Sequence, residues 1–121
     1  MIRKKLDIGY KIWLERDGMA FGLGPYYLLK NIQITSSLSQ AALELRMSYR
    51  QAWGLIKECE ERLGFDLIER QAGGASGGYS VLTPEGEKFL FWFAGLHDEI
   101  SKAIEKIYSE KYEKLFNDKK K

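Results

Sequence analysis

Ser37 to Gly64 reads SLSQAALELRMSYRQAWGLIKECEERLG, and this stretch holds two helix starts with room for only one sharp corner between them. Ser37 with Gln40, and Ser48 with Gln51, each form an S-x-x-Q pair. In such a pair the hydroxyl accepts from a backbone N–H of the new helix, and the glutamine reaches back to the N–H of the cap. Leu38, Ala41, Ala42 and Leu45 share one face of the first helix, and Ala52, Ile56, Cys59 and Leu63 recur along the second. Each helix therefore has one side to bury. Left outside on the second are Tyr49, Arg50, Gln51, Trp53, Gly54 and Lys57.

That outer face is polarised. Arg46, Arg50 and Lys57 supply positive charge where no acidic residue stands, and Glu58, Glu60 and Glu61 follow together. A recognition helix entering the DNA major groove by its N-terminal end needs this polarity, because its first turns meet phosphates and base edges. Gln and Arg are also able to make bidentate contacts with adenine and guanine. A plain solvated helix face would account for the charges equally well.

Composition bounds the alternatives. The chain has 121 residues, 45% hydrophobic and 30% charged, with a net charge of +2. This suits one folded domain with an extension, and the small net charge says nothing by itself about nucleic acid. Cys59 is the single cysteine and His97 the single histidine, so neither an internal disulfide nor a usual zinc site is expected. No signal peptide and no run of ~20 apolar residues is seen, and a cytoplasmic protein without membrane contact is expected.

Outward from the central stretch, residues 8–22 read as a β-hairpin with Asp17-Gly18 at its turn, although a helix over 6–16 also fits the spacing. Pro25 falls in the first turn of a helix reaching about Ser36, which completes a three-helix unit. After Gly64, a strand-like segment 65–70 and a second strand at 80–82 enclose a loop containing Gly73, Gly74, Ser76, Gly77 and Gly78. Two strands after a recognition helix describe a wing. Its glycines would let backbone N–H groups approach phosphates, flanked by Arg70 and Tyr79. The loop lacks the Gly-Lys-Ser/Thr ending of a nucleotide-binding P-loop.

Thr83 and Pro84 are cap and first residue of a last helix running to about Phe116. Phe89, Phe93, Leu96, Ile100, Ala103 or Ile104, and Ile107 recur at steps of three and four, and Trp92 adds to an all-round apolar segment. A helix of ~50 Å outreaches a core this small, so a second subunit is expected to bury part of it. The fold class is thus mainly α with small β: a winged helix-turn-helix with an N-terminal β-hairpin and a long C-terminal dimerisation helix. Residues 1–82 are expected to form the DNA-binding domain, and 83–121 the dimerisation helix and a basic tail.

The runs Ser37-Leu38-Ser39-Gln40-Ala41-Ala42, Ser48-Tyr49-Arg50-Gln51-Ala52-Trp53, Leu67-Ile68-Glu69-Arg70, Gly73-Gly74, Gly77-Gly78 and Val81-Leu82-Thr83 resemble the N-terminal DNA-binding domain of the molybdate-responsive ModE regulators, and more distantly the LysR-type regulators. The resemblance covers nearly the whole chain. It implies a dimer that binds a palindromic operator in double-stranded DNA. Full-length regulators of this kind carry C-terminal molybdate-binding domains. This sequence ends soon after its last helix and resembles the stand-alone, single-domain members, so no cofactor and no metal are expected.

The expected DNA contacts are Ser37, Ser39, Gln40, Ser48, Tyr49, Arg50, Gln51, Trp53, Gly54, Lys57, Arg70, Gly73, Gly74, Ser76, Gly77, Gly78 and Tyr79. An interaction module is the competing reading: the winged domain meets a partner protein and the long helix is the binding surface. An effector of unknown identity fits either reading. An enzyme is not expected, because no nucleophile–base set, paired carboxylates or metal cluster is present.

Overall fold

The computed structural model describes residues 4–71 and 79–116. In chain order the elements are β1 (Leu14–Glu15), β2 (Met19–Phe21), α1 (Leu23–Thr35), α2 (Leu38–Glu44), α3 (Tyr49–Leu63), β3 (Ile68–Gln71), β4 (Tyr79–Leu82) and α4 (Pro84–Leu115). The chain divides into two compact units, one running from Ile12 to Trp92 and the other comprising the described residues up to Lys11 and from Phe93 onward.

In the first unit, α1 buries Pro25, Leu28, Leu29 and Ile32, α2 buries Leu38, Ala41 and Ala42, and α3 buries Ala52, Ile56 and Cys59. The trihelical core expected from the apolar spacing is present, and the fold is a winged helix-turn-helix. A small aromatic group closes it: the Phe89 ring stands edge-on to Phe21 at 4.9 Å and to Phe65 at 5.6 Å.

The N-terminal hairpin is shorter than the alternation over 8–22 suggested. Only Leu14 pairs with Phe21 and Glu15 with Met19, and a bulge separates the two pairs. Asp17 and Gly18 take positive φ at the turn as expected, 54° and 119°. The returning strand cannot reach 8–13, because Gly22 already caps α1. Residues 4–13 form no helix either.

The corner between α2 and α3 is set by backbone chemistry. Arg46 sits in the left-handed region at φ 58°, and Met47 N–H donates to the carbonyl of Ala42 at 2.9 Å. Ser48 then caps α3 with the full reciprocal box: its Oγ accepts from Gln51 N–H, and its own N–H donates to Gln51 Oε1. At α2 the box is incomplete. Ser37 Oγ accepts from Gln40 N–H, but Ser37 N–H donates to Thr35 Oγ1 at 3.2 Å. The threonine two residues upstream replaces the glutamine, whose side chain stays exposed.

The wing is fastened to the helices by polar contacts. Glu60 is buried on α3, and its Oε2 accepts from the N–H groups of Leu67 at 2.8 Å and Ile68 at 3.3 Å. Gly64 ends α3 at φ 90°. β3 and β4 pair antiparallel from Ile68 with Leu82 to Gln71 with Tyr79. Ser80 N–H donates to the carbonyl of Ser36, tying β4 to the end of α1. Thr83 Oγ1 donates to the carbonyl of Asp66 at 2.6 Å and accepts from Gly86 N–H at 2.8 Å, so one hydroxyl both holds the wing and starts α4.

In the second unit, the backbone at Leu6 is clasped by two tyrosines of α4. Leu6 N–H donates to Tyr112 Oη at 3.3 Å, and Tyr108 Oη donates to the Leu6 carbonyl. Lys5 Nζ lies 5.7 Å from the centre of the Tyr112 ring. His97 is half-buried, with Nδ1 3.4 Å from Ser101 Oγ.

Candidate nucleic-acid interface

The N-terminal half of α3 presents Tyr49, Arg50 and Gln51 outward, all exposed. The reason is local: Ala52, Ile56 and Cys59 take the inward positions, and the Ser48 cap fixes where the first turn begins. Arg50 makes no hydrogen bond or ion pair among the described residues, so its guanidinium is available. No acidic residue stands in the first turn, and the helix dipole adds positive potential at that end. A helix-turn-helix of this form places such an edge against phosphates and base edges.

Gln51 is less free than its exposure suggests. Its carbonyl oxygen accepts from Ser48 N–H at 2.9 Å, while its amide N–H groups make no hydrogen bond among the described residues. Bidentate reading of adenine needs both groups of the amide. With the cap intact, Gln51 can donate to a base acceptor, and bidentate pairing with adenine would have to share the oxygen that already caps the helix.

Behind this edge the chain builds a cation–aromatic stack. Trp53 is half-buried. Lys57 Nζ lies 4.6 Å from its ring centre and Arg70 Cζ 5.2 Å, while Arg70 is also 5.8 Å from the Tyr49 ring. Contacts of this kind are worth about 0.5 to 1 kcal/mol at exposed sites. Arg70 belongs to β3, so the stack couples the wing to the recognition helix and holds two cations on one surface. Lys57 is partly neutralised by Glu60 at 3.1 Å, whereas Arg70 has no ion pair among the described residues.

Two depressions flank this surface. One, about 350 Å³, lies on the outer side of α3 between Met47, Arg50, Gln51, Gly54, Leu55 and Glu58. The other, about 470 Å³, is lined by Lys57 together with Glu58, Glu60, Glu61 and Asp66. Its carboxylates make it unfavourable to phosphate. Among the described residues no cluster of His, Cys, Asp and Glu could hold a metal ion, and no helix is long and apolar enough to cross a membrane.

The remaining expected contacts fall as follows. Ser37 is half-buried and occupied as a cap, and Ser39 and Gln40 are exposed on the first turn of α2. Tyr79 is 48% exposed at the start of β4. Gly73, Gly74, Ser76, Gly77 and Gly78 lie outside the described residues. On α4, Phe89 is half-buried and Phe93 fully buried within the single chain, whereas Trp92 is 51% and Ile107 58% exposed. Leu96, Ile100 and Ile104 are half-buried and Ala103 is exposed. Met47 and Leu55, which are not among the expected contacts, line the smaller depression. Their signal was the uncovered glycine between them on the helix surface.

A family model described as bacterial regulatory helix-turn-helix protein, lysR family, matches residues 26–87. The molybdenum-pterin-binding protein MopB of Rhodobacter capsulatus is 34% identical over 91 residues, covering 75% of this chain and 34% of MopB. The DNA-binding transcriptional dual regulator ModE of Escherichia coli (strain K12) is 40% identical over 63 residues, covering 52% of this chain and 24% of that regulator. The molybdenum transport protein ModE of Azotobacter vinelandii is 30% identical over 80 residues, covering 66% of this chain and 30% of that protein. The chain thus spans about a quarter to a third of the length of these relatives.

Proposed function

The chain belongs to the lysR family of bacterial regulatory helix-turn-helix proteins, and from that premise we propose that it is a sequence-specific transcriptional regulator that binds double-stranded DNA as a homodimer. The observation that carries the proposal is Arg50, without a hydrogen bond or ion pair among the described residues, on an exposed, acid-free first turn of α3 beside the Arg70–Trp53–Lys57 stack. Relatives that are regulators rather than enzymes support the same class. Their molybdenum-related properties are not carried over, because the similarity covers only part of each.

In this reading Arg50 reads a base, Tyr49 and Ser48 touch the sugar-phosphate chain at the helix start, and Arg70 holds a phosphate from the wing. Lys57, Tyr79, Ser39 and Gln40 border the same surface. Residues 1–82 serve DNA, and 83–121 serve dimerisation through the exposed apolar side chains of α4. Two copies would set two recognition helices in successive major grooves, ~34 Å apart.

Arg50→Ala should cost ~1 to 3 kcal/mol on a preferred duplex and little on random DNA. Arg70→Ala should weaken all sequences alike and lower the salt-dependence slope by about one. Salt-titrated fluorescence anisotropy with a selected duplex and a scrambled one measures both. Unchanged binding in both variants removes these residues from the contact surface.

A further inference from the structure

We infer that the depression on the outer side of α3 receives the C5-methyl group of a thymine, making Gly54, Met47 and Leu55 determinants of sequence preference. The inference rests on the DNA-binding reading and names which base that reading would select at this position.

The starting point is a glycine without a structural reason. Gly54 lies in the interior of α3, where glycine is less favourable than alanine. A Cβ built there meets nothing within 4 Å, and its φ is not in the positive range, so neither packing nor backbone conformation requires it. What the missing side chain does is open the depression of about 350 Å³ between Met47, Arg50, Gln51, Leu55 and Glu58.

The chemistry of that depression selects its occupant. Met47 and Leu55 are half-buried and give it an apolar floor. Glu58, whose side chain is 65% exposed and lies 3.6 Å from Arg62, stands at one end as an ion-paired carboxylate. The charged groups stand at the two ends, so the apolar stretch between them suits an uncharged group rather than a phosphate. Among the groups exposed in the major groove, the thymine methyl is the apolar one. Arg50 and the free amide N–H groups of Gln51 stand on the opposite rim, where acceptors of adjacent bases would meet donors. An apolar pocket with donors at one rim and an acceptor at the other complements a stretch of base edges containing thymine.

The test uses the whole chain and the tightest duplex selected from a random pool. Thymines are replaced one at a time by uracil, which removes only the methyl. At the contacted position the affinity should fall about fourfold, the equivalent of ~0.8 kcal/mol for one buried methyl group. Gly54→Ala puts a methyl into the same space and, with no neighbour to clash with, should unfold no earlier than wild type. It should bind the thymine duplex more weakly and lose most of the discrimination between thymine and uracil. A selected duplex with no uracil-sensitive position overturns the inference and leaves DNA binding standing. So does a Gly54→Ala protein that keeps the full discrimination. Failure to recover any preferred duplex overturns the DNA-binding reading itself.

Discussion

At the scale of single residues, the corner of the helix-turn-helix carries a conflict between stability and charge. Arg46 holds φ 58°, a conformation that costs a side-chain-bearing residue roughly 1 to 2 kcal/mol and glycine almost nothing. Part of that gain is offset by the greater freedom of glycine in the unfolded chain. Arg46→Gly should therefore stabilise the fold by about 0.5 to 1 kcal/mol while removing a cation beside the recognition helix. Urea denaturation and DNA titration of the same variant should move in opposite directions. Cys59 offers a second test. Burial, with Glu58 adding to it, pushes its thiol up from the ordinary 9.0 to about 11. The unfolded thiol ionises first, so the contribution of Cys59 to stability is complete below about pH 9 and is lost as pH rises through about 11. The stability difference between wild type and Cys59→Ala should narrow across that window, and below it the native thiol should resist alkylation.

At the scale of elements, the wing is positioned less by its own strands than by what holds their ends. Glu60 accepts from two backbone N–H groups at the start of β3, and Thr83 bonds Asp66 at the end of β4. Gly86 completes the joint, since a Cβ there would come within 2.3 Å of the Leu67 carbonyl oxygen. The close approach of α4 to the entry of β3 is open only to glycine. Gly86→Ala should destabilise the protein by about 1 to 3 kcal/mol. Because the same joint orients Arg70, the variant should also weaken DNA binding at temperatures where it remains folded, which thermal melting and anisotropy can separate.

At the scale of the whole molecule, α4 has 32 residues, about 48 Å of helix. Its apolar residues are not all satisfied within one chain: Phe91 is 84%, Trp92 51% and Ile107 58% exposed. Burying such side chains against a second copy would gain roughly 1.5 to 3 kcal/mol each. Sedimentation of the wild type should give a dimer. Ile107→Asp should shift it toward monomer with little effect on the melting of the remaining helices, because Ile107 is exposed in the single chain. A mass unchanged by that substitution would place the contact elsewhere on the surface.

The sequence by itself determined what short-range chemistry can encode. Ser48 with Gln51, the four-three-four spacing of Ala52, Ile56, Cys59 and Leu63, and Gly64 at a helix end specify α3 wherever it is placed, because capping and periodicity act within a turn or two. The outward edge at Arg50 follows from the same spacing. Tertiary structure alone decided the rest. The hairpin was cut short because Gly22 already caps α1. Glu60, one of several glutamates in the sequence, became a buried anchor because the start of β3 brought two N–H donors to it. Arg70 met Trp53 only once the wing had folded back over α3. Each of these joins residues distant in the chain, and local propensity holds no record of which partners will be brought together.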